Sequence, residues 1–401
     1  MAHRKLGLWL IGAKGGVATT VAVGLLALRR GLAENYGLVS ALPQFAGLDF
    51  AAWSDFTLGG HEIRDTTFYA AAEQLAANNH ALDGKLVVTL KSDLDKLDKN
   101  VRPGTLLNVG PTIEKLADPA VKKLRESPRA AIERLQADLK EFVGKNRLDQ
   151  LIVVNLASTE PPLESELPPR WKDLSKLLDK KTSLLPASSL YSIAALELGY
   201  PFINFTPSVG SAPTAIGELA IAHDTCHMGH DGKTGETLLK SVLGPMFAAR
   251  NLQVMSWVGH NIFGNMDAKI LDDPRNKATK VRSKDRLLHR ILGYTPQTLV
   301  TIENVASLGD WKTAWDHIHF RGFLGTPMVL QFTWQGCDSL LAAPLVLDLV
   351  RFTELAHRRG ERGLLTFLAS FFKSPLGVDQ HDFVRQFQML EQWAVRARGS
   401  Q

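Results

Sequence analysis

The sequence predicts an α/β protein, with a mostly parallel sheet covered by helices on both faces. Three observations carry this. The chain opens on a strand–turn–helix unit: the apolar run Leu8–Ile11, a glycine-rich turn at Gly12–Gly16, and a helical stretch from Val17 to Arg30 that stops at Gly31. Leu151–Leu156 (LIVVNL) is an uninterrupted apolar run of the kind found in a strand buried on both faces. Ser188–Leu198 then reads as helix and Pro201–Phe205 as strand, so strands and helices alternate. In such sheets ligands bind beyond the carboxyl ends of the strands.

The remaining elements follow in order. Phe68–Ala77 is alanine-rich and predicts a helix. Lys85–Thr89 (KLVVT) and Thr105–Val109 (TLLNV) read as strands. Asp118–Lys145 is long, charged and amphipathic, and predicts solvated helices. The segment STEPPLESELPPR reads as a proline-rich loop. From about Gly210 to Phe332 glycine, histidine and polar loops become frequent, and Asp338–Leu355 and Gly363–Phe372 then read as two apolar helices. There is no internal repeat.

Composition narrows the function. At 401 residues the chain suits two domains rather than one core. A net charge of +5 without a clustered basic stripe argues against a nucleic-acid partner and fits an anionic small molecule. Cys226 and Cys337 cannot form a disulfide framework, which points to a reducing, cytoplasmic setting. Arg4 and Lys5 before the apolar run from Leu6 imitate a secretory signal, but Lys14 and its flanking glycines break that run. No window approaches the roughly 20 apolar residues a membrane span needs, so no membrane partner is expected.

The first motif is Gly12-Ala13-Lys14-Gly15-Gly16-Val17-Ala18-Thr19-Thr20. Glycines at a strand-to-helix turn let the backbone approach a pyrophosphate, and the helix N-terminus offers free N–H groups. Thr19 and Thr20 add hydroxyls. The spacing departs from G-x-G-x-x-G, so three readings stay open: a dinucleotide loop first, a tight turn without ligand second, an ATPase third. The third resembles the deviant Walker A loop of the MinD/ParA-type ATPases. It lacks the lysine before the threonine, a position held here by Ala18.

Later segments, taken in order, resemble the myo-inositol-1-phosphate synthase family. They are Gly59-Gly60-His61-Glu62-Ile63, Ala157-Ser158-Thr159-Glu160, Ser189-Leu190-Tyr191 and Phe202-Ile203-Asn204-Phe205-Thr206-Pro207 in the first half. In the second half they are Asp231-Gly232-Lys233-Thr234-Gly235-Glu236-Thr237, Gly264-Asn265-Met266-Asp267, Arg282-Ser283-Lys284-Asp285, Gly309-Asp310-Trp311-Lys312, Cys337-Asp338-Ser339-Leu340-Leu341-Ala342 and Phe372-Lys373-Ser374-Pro375. The resemblance runs through essentially the whole chain. The departures are Lys14 for a loop glycine, Gly16 and Val17 for two asparagines, Ser208-Val209-Gly210-Ser211 after Pro207, and Leu288 where the family has a second, substrate-associated lysine.

The resemblance implies a Rossmann-like NAD domain built from residues 1–215 and 335–401, with an inserted α+β catalytic and oligomerisation domain at 216–334, and a homotetramer. It implies net redox-neutral cyclisation of a sugar phosphate: NAD oxidises C5 of glucose 6-phosphate, an enolate forms at C6 and attacks C1, and the C5 ketone is reduced again. Negative charge develops on oxygen at each step, and one well-aimed donor is commonly worth about 100- to 1,000-fold in rate. Lys284, Lys312 and Lys373 are the expected catalytic lysines, with Asp231 and Asp267 positioning them. Ser158, Thr159 and Asp338 join the glycine loop around the cofactor. Asn204, Lys233, Asn265 and, in place of the missing lysine, His289 and Arg290 are expected to bind substrate. Any one lysine among 46 basic residues is by itself more often a solvated charge. A different sugar phosphate such as a ketose phosphate, and a non-catalytic NAD-binding protein, remain alternatives. His223, Cys226, His227 and His230 could form a zinc cluster, but a pocket-lining loop is the stronger reading. A divalent or monovalent cation, used by some members, stays an open option.

Overall fold

The computed structural model of the chain describes residues 4–180, 184–271 and 287–399. Its strands are β1 (Leu6–Ile11), β2 (Phe56–Glu62), β3 (Val101–Pro103), β4 (Gln150–Asn155), β5 (Phe202–Asn204), β6 (Cys226–Gly229), β7 (Gln253–Phe263), β8 (Gln297–Asn304), β9 (Trp311–Arg321), β10 (Pro327–Cys337) and β11 (Gly363–Leu364). They form a seven-stranded sheet in the order β11-β6-β5-β4-β1-β2-β3 and a four-stranded sheet in the order β10-β9-β7-β8. Every pairing in the first sheet is parallel. Six of its strands follow the order of a doubly wound dinucleotide fold, with the crevice outside β1 and β4 where the winding reverses. The second sheet is mixed and lies between β6 and β11 in sequence, with β7 parallel to β8 and antiparallel to β9.

β1 and β4 are buried almost throughout, which matches their apolar composition. Each face of the first sheet carries its own core, one reaching from Leu8 and Leu10 to Val346 and Phe352, the other from Trp9 and Ile11 to Leu139 and Leu190. The Gly16–Arg29 helix holds Thr19, Thr20, Val21 and Val23, β-branched residues that weaken an isolated helix. All four are buried, and burying a side chain such as Val21 or Val23 contributes about 1.5–3 kcal/mol, so packing decides the outcome.

Several sequence expectations are corrected. KLVVT lies in a helix, Gly84–Thr89, whose first turn is capped by Asp83 accepting from the Lys85 N–H at 2.9 Å. Thr105–Val109 is a loop, with the Thr105 N–H donating to the Tyr191 hydroxyl at 2.9 Å. Gly363–Phe372 is β11 followed by a 3-10 turn from Thr366 to Phe371, not a helix of the regular kind. β2 was hidden by Gly59 and Gly60. A Cβ on Gly60 would lie 2.3 Å from the Leu10 carbonyl, so glycine is required there to let the chain pass. Asp338 is the first residue of the Asp338–Arg358 helix, with Cys337 at the cap.

Leu288 is fully buried with Phe247, Val254, Trp257 and Ile318 in a small separate core. In this chain the position of the family's lysine belongs to packing.

Candidate functional site

A cavity of about 950 Å³ lies at the carboxyl ends of the first sheet, lined there by Gly12, Glu62, Asn155 and Phe205 and from the second sheet by Gly264, Asn304 and Lys312.

At one end is the glycine loop. The Gly12 and Ala13 N–H groups both donate to the His61 carbonyl, at 2.9 and 3.0 Å, tying the loop to the end of β2. Gly12 has φ +75° and a Cβ there would sit 2.8 Å from the Ala157 Cα, so only glycine closes the turn against the next strand. A Cβ on Gly16 would meet the Ser339 Oγ at 2.8 Å, so the loop also packs on the start of the Asp338–Arg358 helix. The Gly16–Arg29 helix has no side-chain cap, and the buried Thr19 Oγ1 has no hydrogen-bond partner in the structure. Uncapped N–H groups and an unpartnered hydroxyl at a cavity wall fit a bound pyrophosphate. Thr20 does not join them, because its hydroxyl donates to the Gly16 carbonyl at 2.9 Å. Lys14 is held by an ion pair to Asp98 at 3.1 Å. Ala13 and Ala18 are buried and shape the loop from behind.

Glu62, at the end of β2, lies in the Gly59–Ile63 segment and is not among the site residues the sequence predicts. It occupies the place where doubly wound folds set the acidic residue that reads the adenosine ribose. The usual clue is a spacing of about 20 residues from the glycine loop; here the chain between Arg29 and β2 is long and the clue is lost. Burial opposes the Glu62 charge, but the Arg64 guanidinium and backbone donors outweigh it and hold the carboxyl below its usual range.

Asp310 organises the wall beside the glycine loop, its Oδ1 3.9 Å from where a Cβ on Gly16 would stand. Its carboxylate accepts from Asn265 Nδ2 at 2.9 Å, from the Ser339 N–H at 2.8 Å and from the Ser339 hydroxyl at 3.0 Å. It therefore fixes Asn265 and the helix start that carries Asp338, and burial raises its pKa. In the sequence it belongs to the Gly309–Lys312 family segment, where a turn residue is an equal reading.

At the far end the Lys373 ammonium donates to Asp231 Oδ1 at 2.9 Å, with the two side chains only 9% and 5% exposed. A second contact, from the Lys373 N–H to the Asp231 carbonyl at 2.7 Å, locks the backbones together. Lys312 lies 4.9 Å over the Phe263 ring. Beside the strand ends, Glu160 is buried against the Ser188 hydroxyl and the Ser188 N–H, and burial pushes its pKa up to about 7. The Ser208 hydroxyl, within one of the departing segments, accepts from the Glu160 N–H at 3.0 Å.

Of the expected site residues, Gly12, Lys14, Gly15, Gly16, Val17, Thr19, Ser158, Thr159, Asp338, Asn265, Asp231, Lys312 and Lys373 line this one cavity. Others are placed elsewhere. Asn204 is buried as a staple between strand ends, its amide donating to the Ser208 carbonyl at 2.6 Å and its carbonyl accepting from Asn155 at 3.1 Å. Lys233 turns to Gln386 behind the cavity, where burial takes its pKa down to about 7. Arg290 pairs with Asp379 on the surface, and His289 contacts Thr295 at 3.0 Å, so neither lines the cavity. Lys284 and the side chain of Asp267 lie outside the described residues. His227 is on β6 against Ser211, and the turn at Asp224 separates it from His223, so the two histidines do not share a helix face.

The profile of the family described as myo-inositol-1-phosphate synthase matches residues 6–396. The chain belongs to the myo-inositol-1-phosphate synthase family. It is 31% identical to inositol-3-phosphate synthase 1 of Bacteroides thetaiotaomicron, over 98% of this chain and 95% of that protein. The inositol-3-phosphate synthase of Dictyostelium discoideum is 26% identical over 88% of this chain and 75% of its own length. Among solved structures, inositol-3-phosphate synthase of Caenorhabditis elegans has the same fold, with a TM-score of 0.88, 23% identity, and coverage of 98% of this chain and 86% of that one. A synthase-related protein of Thermotoga maritima gives a TM-score of 0.79 at 24% identity, over 98% of this chain and 99% of its own. Membership in this family makes the chain an NAD-binding enzyme of the intramolecular isomerase type.

Proposed function

We propose that the chain converts glucose 6-phosphate to an inositol phosphate in this cavity, with Lys373 and Lys312 as catalytic residues and Asp231 as the group that positions Lys373. The observation that carries this is the meeting of a buried Lys373–Asp231 pair and Lys312 with the uncapped glycine-loop helix on one cavity wall system. Gly12–Val17, Thr19, Ser158, Thr159 and Asp338 would hold NAD, which would supply reversible hydride acceptance. The chain's own groups do the rest. Lys373, fixed by Asp231 where little of either side chain reaches water, offers a positive charge to an alkoxide or enolate oxygen. Lys312, projecting from β9 on the facing wall, offers a second. Lys284 is assigned to the same step on the family resemblance. Asn265, held by Asp310, presents its amide to a substrate hydroxyl.

Leu288 packs in a small core and does not line the cavity, so nothing at that position replaces the missing lysine at the substrate. We further read the chain as cytoplasmic, supported by two buried free thiols, Cys226 and Cys337. No helix among the described residues is long and apolar enough to cross a membrane. A homotetramer is supported by the apolar exposure of the second sheet, where Leu299, Trp315, Met328 and Val329 are 51%, 46%, 40% and 52% exposed.

The test is glucose 6-phosphate deuterated at C5. Full retention of deuterium in a cyclised product, without reduced cofactor building up, is the expected outcome. Loss of the label to solvent or to accumulated reduced cofactor would exclude the redox-neutral reaction.

A further inference from the structure

The ribose end of the cavity carries an arrangement that the family resemblance does not predict, and its interpretation rests on the dinucleotide reading above. In doubly wound folds a carboxylate after the second strand selects NAD by binding the ribose 2′-hydroxyl, whereas a nearby arginine accommodates the 2′-phosphate of NADP. This chain has both, joined to each other. Arg64 grips Glu62 with a fork, Nε to Oε1 and Nη2 to Oε2, both at 3.1 Å. The same carboxylate also accepts from the Ile63 N–H at 2.9 Å, the Arg64 N–H at 3.1 Å and the Lys14 N–H at 2.8 Å. A carboxylate has about four lone-pair sites, so these five donors saturate it. It cannot take a ribose hydroxyl as well without releasing one of them, and its charge is matched by the guanidinium.

Arg64 itself is not saturated by this pairing. A guanidinium has five N–H donors in a planar fork, and the bonds to Glu62 use those on Nε and Nη2. Its side chain is 25% exposed and lines the cavity beside Asp65 and Thr66. Lys14, the other cation at this end, is held away by Asp98 and the Thr66 carbonyl. The group left to meet whatever stands at the ribose 2′ position is therefore the outer edge of Arg64, which suits a phosphate at least as well as a hydroxyl.

We propose that Arg64 makes this cofactor site tolerant of a 2′-phosphate, so that the chain binds NADP and NAD with affinities within about tenfold of each other. Arg64 is a specificity-determining residue in this reading and takes no part in the chemistry.

The experiment is isothermal titration calorimetry of the full chain with NAD and with NADP at fixed ionic strength, for the parent, Arg64→Ala and Arg64→Lys. Melting curves confirm that each variant is folded. The expected result is comparable binding of both dinucleotides by the parent. Arg64→Ala should weaken NADP by about 10- to 100-fold, the loss of a charge-assisted contact, while NAD binding holds or tightens as Glu62 is released. Arg64→Lys should fall between, since it keeps the charge and loses the fork. A parent that binds NAD but prefers it more than about 100-fold over NADP, with a ratio unmoved by Arg64→Ala, would overturn the proposal and leave the dinucleotide reading standing. Binding of neither cofactor would overturn both.

Discussion

At the glycine-loop end of the cavity one partner of each charge pair reaches water: Asp98 beside Lys14 is 22% exposed, and Arg64 over the buried Glu62 is 25% exposed. At the far end Lys373 and Asp231 meet at 9% and 5%. The two pairs at the first end use donors and acceptors to shape a loop, and the partly exposed Asp98 and Arg64 leave them open to some solvent screening. The pair at the second end is nearly dry, where a charge acts strongly on its neighbours and is costly to leave alone. One end is built to hold a charged cofactor without a large field, and the other to present a field to a reacting oxygen.

The sharpest way to break this contrast is at Lys373. Lys373→Ala should lower kcat by about 1,000-fold, at the upper end for a single donor to a developing oxyanion. It should also cost about 3–5 kcal/mol of stability, because Asp231 keeps its charge in a buried site. Denaturant unfolding and steady-state rates measure the two effects. The double variant Asp231→Asn with Lys373→Met should recover most of the stability and none of the activity. Lys312→Ala should lower kcat by about 100-fold while NAD binding, followed by calorimetry, stays unchanged.

Glu160 sharpens the comparison through pH. Its carboxyl is raised to about 7 when folded, against an ordinary value of 4.5. Between those values the folded state keeps a proton that the unfolded chain has lost. The stability it contributes is therefore complete below the unfolded pKa and disappears as pH rises through the folded one. At about 1.4 kcal/mol per pH unit this amounts to about 3 kcal/mol. Glu160→Gln should flatten the stability profile between pH 4.5 and pH 7, measured by urea unfolding at each pH. An unchanged slope would show that Glu160 is ionised in the folded protein.

The smallest expected effect separates packing from chemistry at the missing lysine. Leu288→Ala should cost about 2 kcal/mol, the lower part of the range for such truncations, because half-buried Leu243 and Leu292 flank the site and can close on it. Its kcat should stay within about twofold of the parent, since a side chain that only packs leaves transition-state stabilisation unchanged. A loss of activity without a loss of stability would return Leu288 to the substrate site.

The same contrast governs what the sequence reveals. β1 and β4 are legible because burial on both faces demands unbroken apolar runs. β2 is not, because the close passage of β1 demands two glycines that weaken any strand signal. The second sheet is harder to read for a different reason. β10 alternates half-buried Leu330, Phe332 and Trp334 with exposed Gln331, Thr333 and Gln335, but β9 sets tryptophan and histidine against buried Ala314 and Ile318, so its apolar signal is spread over both faces. In the site, Lys312 and Lys373 emerge from ordered family segments, not from any local pattern. Glu160 and Asp310 are invisible locally, since their importance comes from what packs on them: Ser188 and Ser208 in one case, Asn265 and Ser339 in the other. Asn204 and Lys233 show the reverse, motif residues whose side chains face inward to structure.

The central claim is tested most directly by phosphorus NMR of the purified protein with glucose 6-phosphate and NAD at far less than one equivalent of substrate. The account predicts complete conversion to an inositol phosphate, with the cofactor recovered as NAD. Turnover that stops after one equivalent of cofactor, with NADH accumulating, would contradict it.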